Sequence, residues 1–406
     1  MLSLILCSCE VSRRDMDGDR AARADTLSDV STPAGGFDES DSAAIEMGRF
    51  DESWKGPAGS WRPRGTGRDS SASGMARALA AAAPFDSTDA FSILRLQISL
   101  DRARFSPGVV DGRWGKNTAK AVYWYQRAHE LQATGVPDAA TLRSLEGTEA
   151  GAASLDPLAT YTVQASDLMG TFVDVPSDIY EKAKLSCLCY QSPAEQIAER
   201  FHTTWRALAA WNQGIDLSRL QRGTVLRVPR VEPMRLPGAG EDVAERQTSG
   251  TRPALGAPGA AGSAEGAAPP TIARVVVSKK GFYTLALDPQ GRILYEFPST
   301  VGSKYDPSPS ETVEVDAIAW NPHFHYQPAL FHEVPDTDPD AMLPPGPNSP
   351  VGLVWIDLSK PHYGMHGTAS PETIGYVTSH GCVRLTNWDA IFLAQHLSKG
   401  TPVEFQ

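Results

Sequence analysis

Long apolar runs are missing from this sequence: about 18 uninterrupted apolar residues occur nowhere, so no stretch has the length of a membrane-crossing helix. Positive charge is also short, with 37 Lys and Arg against 48 Asp and Glu and a net charge of -11. Such a balance does not draw in phosphates broadly, which sets nucleic acid aside as a partner. Cysteine is scarce, and five in 406 residues cannot form a disulfide framework for a chain this long. Cys187-Leu188-Cys189 lacks the second pair that a zinc site of that type needs; both are read as structural, or as a strained disulfide. No His-Glu-x-x-His helix occurs. Cys382 is the thiol with chemical context around it.

What is present falls into blocks. Residues 1–86 are read as a signal remnant followed by a tether rich in Asp, Ser, Gly, Arg and Ala, too poor in apolar periodicity to offset chain entropy. Leu2-Ser3-Leu4-Ile5-Leu6-Cys7-Ser8-Cys9 has no basic residue before it and is short for a signal peptide. It resembles the tail of a bacterial lipoprotein signal, which implies lipid attachment at Cys9 and a true start further upstream; a stray apolar terminus is the other interpretation. A second stretch, 232–270, is dense in Pro, Gly and Ala and is read as a linker.

The block 87–147 carries Ile93, Leu94, Leu96, Ile98 and Leu100 at helical spacing, then a loop from Phe105 to Gly115, a second helix opening at Asn117-Thr118 and a third near Asp138. It resembles the three-helix peptidoglycan-binding domain through its Val-Asp-Gly-x-Trp-Gly loop at Val110 to Gly115 and its Thr-Gly-Val-Pro-Asp ending from Thr134. The block 159–231 begins and ends in strand-like runs, with Ile197, Phe201, Trp205, Leu208 and Trp211 at helical spacing between them. That pattern looks like a LysM module, including Asn212 after the second helix, but an insertion between Ala165 and Pro193 departs from it.

The block 271–406 opens as a β-meander, Arg274 to Ser278, Phe282 to Leu287 and Ile293 to Phe297. A Pro-rich excursion from Asn321 to Pro350 is too irregular for a simple hairpin and reads as a loop over a site. Thr386 with Asp389 caps a late helix that Gly400 stops, and Val403 to Phe405 can close the sheet. The domain is expected to be mostly β.

Chemistry concentrates in His366-Gly367-Thr368 and Ser379-His380-Gly381-Cys382-Val383-Arg384. A thiol becomes a useful nucleophile when an imidazole accepts its proton and helps hold a thiolate. Two imidazoles are candidates: His380, two residues before Cys382 and so on the same face of an extended segment, and His366 from an adjacent strand. Gly381 allows a substrate backbone to come close and frees N–H groups for an oxyanion. Arg384 offers a planar fork suited to a carboxylate.

The full string resembles the signature of the L,D-transpeptidases of the YkuD type, with supporting likeness at Trp320-Asn321-Pro322 and Pro345-Gly346-Pro347-Asn348. The resemblance implies a multidomain protein whose mostly β catalytic domain is a β-sandwich with a C-terminal helix, behind a three-helix bundle and a small α+β LysM-like module. It also implies Cys382 as nucleophile and His366 as general base, oriented by a main-chain carbonyl near Gly367. His380 would support the site, and the N–H groups of Gly381 and Cys382 would receive the oxyanion. Arg384 would hold a donor carboxylate or shape the cleft, and Ser379 would orient. No cofactor and no metal are implied. The partners are peptidoglycan stem peptides and glycan strands, with an exported, periplasmic or envelope location.

Two other classes compete. A zinc-dependent hydrolase draws on His323, His325, His332 and His362, but no third ligand at diagnostic spacing follows His-x-His, so these residues are read as cleft lining or solvated. A non-catalytic wall-binding protein needs only the two front modules, and the intact Cys382 motif argues against it.

Overall fold

The structure is a computed structural model that describes residues 85–147, 156–236 and 271–406. Cys9, its proposed lipid and most of the two low-complexity segments lie outside the described residues. No described helix is long and apolar enough to cross a membrane.

In the first module α1 (Ala90–Arg102), α2 (Lys116–Ala128) and α3 (Ala139–Gly147) form the expected bundle. Asp89 caps α1 by accepting from the Ser92 N–H. Gln97 is buried in α1 and organises the Asp-Gly loop: its Oε1 accepts from the N–H groups of Asp111 and Gly112 at 3.0 and 2.7 Å. The loop residues therefore build the bundle.

In the second module β1 (Leu158–Thr162) pairs antiparallel with β2 (Val225–Pro229). The short helices α4 (Ala165–Leu168) and α5 (Ile179–Ala183) lie in the insertion, while α6 (Pro193–Arg200) and α7 (Trp205–Trp211) cover the strands. Ile197, Phe201, Leu208, Trp211, Leu226 and Val228 form the core. Asn212 is a packing residue, its amide clamped to the backbone N–H and C=O of Arg227.

The third domain has β3 (Arg274–Ser278), β4 (Tyr283–Leu287), β5 (Ile293–Pro298), β6 (Val313–Trp320), β7 (Phe324–Tyr326), β8 (Ala341–Leu343), β9 (Val354–Leu358), β10 (Gly364–His366), β11 (Val383–Arg384), α8 (Asn387–His396) and β12 (Pro402–Phe405). Eight strands make one sheet in the order β11-β10-β9-β6-β12-β3-β4-β5. Its two edges meet, because Thr300 just beyond β5 exchanges both backbone hydrogen bonds with Arg384 in β11 at 2.9 and 2.8 Å. The curled sheet encloses one core to which both halves and α8 contribute, including Val275, Phe297, Ile356, Met365, Val383 and Leu393.

The Pro-rich excursion differs from expectation: β7 and β8 pair antiparallel as a ribbon. Its support comes from the second module's insertion, where Val175, Ile179, Tyr180, Ala183 and Leu185 pack with buried Leu188, Tyr326 and Leu343. Cys187 and Cys189 are joined in a disulfide, and Leu188 between them donates its N–H to Pro345 O at 2.9 Å. The periodicity of a short ribbon was hidden because part of its packing lies in another module.

The modules are also docked rather than strung apart. Asp389 of α8 accepts from Ser106 at 2.8 Å, the His202 ring stacks on Trp388 at 5.2 Å, and Lys120 donates to Phe282 O at 2.7 Å. His202 also meets Asp101 at 2.7 Å, linking the first two modules. This explains why α8 is buried nearly all round.

Burial against α8 raises the Glu199 carboxyl from 4.5 to about 7, opposed by hydrogen bonds from Tyr190 and Asn387. A raised folded value means that its stabilising contribution is complete below pH 4.5 and is lost as pH rises through about 7. Replacing it with Gln should remove that loss. Parent minus Glu199→Gln unfolding free energy should fall by up to about 3 kcal/mol from acid to neutral pH, read by denaturant melts; a difference independent of pH would contradict a protonating Glu199.

Candidate active site

Three adjacent strands set the site. In register, Trp355 of β9, His366 of β10 and Arg384 of β11 face one another in a row across the sheet. One step back along the same face the row is Asp357 and Gly364, and the parallel register carries it on to Cys382, just before β11. Cys382 and His366 thus belong to neighbouring rows on one face. Gly364 is required there, because a Cβ would come within 2.4 Å of the Trp355 ring. That ring in turn stacks on the imidazole at 5.3 Å and 17°.

The His366 Nδ1–H donates to Gly367 O at 2.7 Å, which leaves Nε2 as the lone-pair nitrogen. The turn that carries this carbonyl is held by Asn387, whose Oδ1 accepts from Thr368 N and Leu353 N, both at 3.1 Å. Its Nδ2 donates to Glu199 at 2.7 Å and to Pro347 O at 3.3 Å. Gly352 and Gly367 leave room for it, since a Cβ at either position would stand 2.0 Å from the Asn387 oxygen.

Cys382 is half-buried and donates weakly from Sγ to His362 O at 3.6 Å. Burial pushes its thiol from 9.0 to about 11, with Arg384 pulling in the other direction. His366, 4% exposed, is pushed from 6.5 to about 3, first by burial and then by the Arg384 charge. Both shifts favour the uncharged form, of the thiol and of the imidazole. Water exclusion disfavours both charged partners.

The remaining motif residues divide. Gly381 has φ +106 and no space for a side chain against Tyr363, and its carbonyl accepts from Ser308 at 2.7 Å. Ser379 Oγ donates to Cys382 O at 2.5 Å, an orienting contact. Arg384 has a buried Nε with no hydrogen-bond partner among the described residues. His380 is turned toward Glu333 at 2.6 Å and is not free to serve Cys382. Of the four histidines considered for zinc, His323 is exposed, His325 pairs with Asp340 at 3.0 Å, and His362 is exposed beside the thiol. Only His332 joins a group with ligand geometry, together with Asp306, Glu333 and His380.

Trp355, Gly364, Asn387 and Ser308 were not singled out from the sequence. Asn387 follows the capping Thr386 and looks there like an ordinary helix start, and Trp355 looks like one apolar step of an alternating strand.

A thiol and a carbonyl-oriented imidazole on one face of a curled sheet are the kinds of group that cysteine acyl transfer uses. Residues 272–405 match the family model of the L,D-transpeptidase catalytic domain. Residues 92–145 match a peptidoglycan-binding domain and 195–229 a LysM domain; the insertion lies ahead of the latter match. A protein named as an L,D-transpeptidase in Bacillus licheniformis is 48% identical over 59 residues, 14% of this chain and 36% of that one. One from Bacillus subtilis is 49% identical over 57 residues, covering 14% and 35%. The chain thus spans about a third of the length of these relatives. Among solved structures, an L,D-transpeptidase from Mycobacterium smegmatis is similar at 21% identity over 32% of this chain and 57% of that one, with a TM-score of 0.27.

With a thiol near 11, alkylation of Cys382 by iodoacetamide should climb about tenfold per pH unit from 7 to 9. A plateau reached below pH 7 would contradict the neutral pair.

Proposed function

We propose that this protein is a peptidoglycan L,D-transpeptidase that works outside the cytoplasmic membrane, joining stem peptides between diamino acid residues through a thioester on Cys382. The observation that supports this is the His366 imidazole, held through Nδ1 by Gly367 O on the sheet face that the strand register also gives Cys382, in a segment that matches the L,D-transpeptidase catalytic domain.

Proton transfer from a thiol near 11 to an imidazole near 3 is uphill at rest. It therefore accompanies attack. As Sγ bonds to the carbonyl carbon between the diamino acid and D-alanine of a donor stem, the thiol proton passes to His366 Nε2. The N–H groups of Gly381 and Cys382 receive the carbonyl oxygen as it becomes negative. Collapse breaks the C–N bond, His366 returns the proton to the departing D-alanine amine, and the thioester remains. The side-chain amine of a second stem then attacks, loses its proton to His366, and forms the cross-link as the thiol re-forms. Arg384 holds donor carboxylate, while Ser379 and His380 shape the loop. The two front modules keep the enzyme against its polymer.

Incubating the full chain with a defined disaccharide tetrapeptide should yield a dimer with the mass of two substrate molecules less one D-alanine. Mass spectrometry reads this directly. Cys382→Ala should abolish the dimer with sacculus binding unchanged, and His366→Ala should slow it by about 10²- to 10⁴-fold. Turnover persisting in Cys382→Ala would overturn the assignment, and binding without any turnover in the parent would make the protein a wall binder.

A further inference from the structure

Beside the thiol, three separate segments bring four ligand-type side chains together. Asp306 comes from the loop after β5, His332 and Glu333 from the tip between β7 and β8, and His380 from the turn before β11. One ligand atom from each lies within 4.8 Å of all the others. We propose that this group is a binding site for a divalent transition metal of the zinc type, pinning the β7–β8 ribbon to the turn that carries Cys382.

The pattern of contacts converges as ligands do. His332 Nδ1 lies 2.6 Å from Asp306 Oδ2 and 3.0 Å from Glu333 Oε2, while His380 Nε2 lies 2.6 Å from Glu333 Oε1. A ring nitrogen carries one proton and cannot donate fully to two carboxylates, whereas a cation between them satisfies both together with the imidazole lone pairs. Two imidazoles and two carboxylates match the borderline character of zinc, and two negative charges balance it. Both rings are also held by neighbours: Tyr305 stacks on His332 at 5.0 Å, and Phe331 meets His380 edge-on at 4.7 Å. Such fixing of ligand rings is what a metal site requires of its surroundings.

Binding would reach the cleft through a tautomer. Arg384 Nη2 stands 3.5 Å from His380 Nδ1, and because a guanidinium only donates, that nitrogen must be the unprotonated one. A metal on Nε2 places the proton on Nδ1 and ends that contact. Zinc occupancy is then expected to slow cross-linking, a consequence that rests on the transpeptidase assignment; the binding itself does not.

The test is calorimetric titration of zinc into the full chain carrying Cys382→Ser, so that the thiol contributes nothing. One equivalent should bind at micromolar or better affinity, and His332→Ala and Glu333→Gln should each weaken it about tenfold or more. Both positions are exposed, and circular dichroism checks that each variant is folded. Absence of binding below about 100 μM, or either variant binding as tightly as its parent, overturns the proposal whether or not the chain makes cross-links.

Discussion

The carboxamide of Asn387 makes contacts with four separate parts of the molecule: it accepts from Leu353 N and Thr368 N, and donates to Glu199 and to Pro347 O. An amide side chain offers two donors and two acceptor positions, so this one is fully used. Its partners begin β9, form the turn that orients His366, belong to helix α6 of the second module, and end the Pro-rich excursion. Removing it would leave two main-chain N–H groups without their acceptor in the interior, at about 1–3 kcal/mol each. The position of the imidazole is therefore tied to the docking of a module that sequence would treat as an accessory.

Burial has an electrostatic consequence as well as a geometric one. The burial that fixes His366 also lowers its imidazole from the usual value, and the surroundings of Cys382 push its thiol up, so both shifts favour the uncharged forms. A neutral imidazole is ready to accept a proton, and a thiol with a raised value resists idle alkylation until a carbonyl is within reach. Reactivity would then appear only with substrate in place.

Much of the fold was legible in the sequence because local chemistry specified it. The α1 stripe from Ile93 to Leu100, the β3 to β5 meander and the Thr386 cap each obey a short-range rule that tertiary contacts do not override. His366, Gly381 and Cys382 were recognisable by the family string they sit in. What stayed hidden depends on contacts between distant segments. Asn387 meets Glu199 across 188 positions, Ser106 meets Asp389 across 283, and the β7–β8 ribbon rests on an insertion more than a hundred residues earlier. His380 shows the same limit in reverse. Its spacing from Cys382 placed both on one face, but the pull of Glu333, 47 positions away, turned the ring aside.

The most direct measurement is the rate at which a donor tetrapeptide adds mass to Cys382, followed on intact protein for the parent chain and for Asn387→Ala. The account predicts a thioester in both, formed about 100-fold more slowly in the variant because the imidazole has lost its fixed turn. Equal rates in the two folded proteins would contradict it.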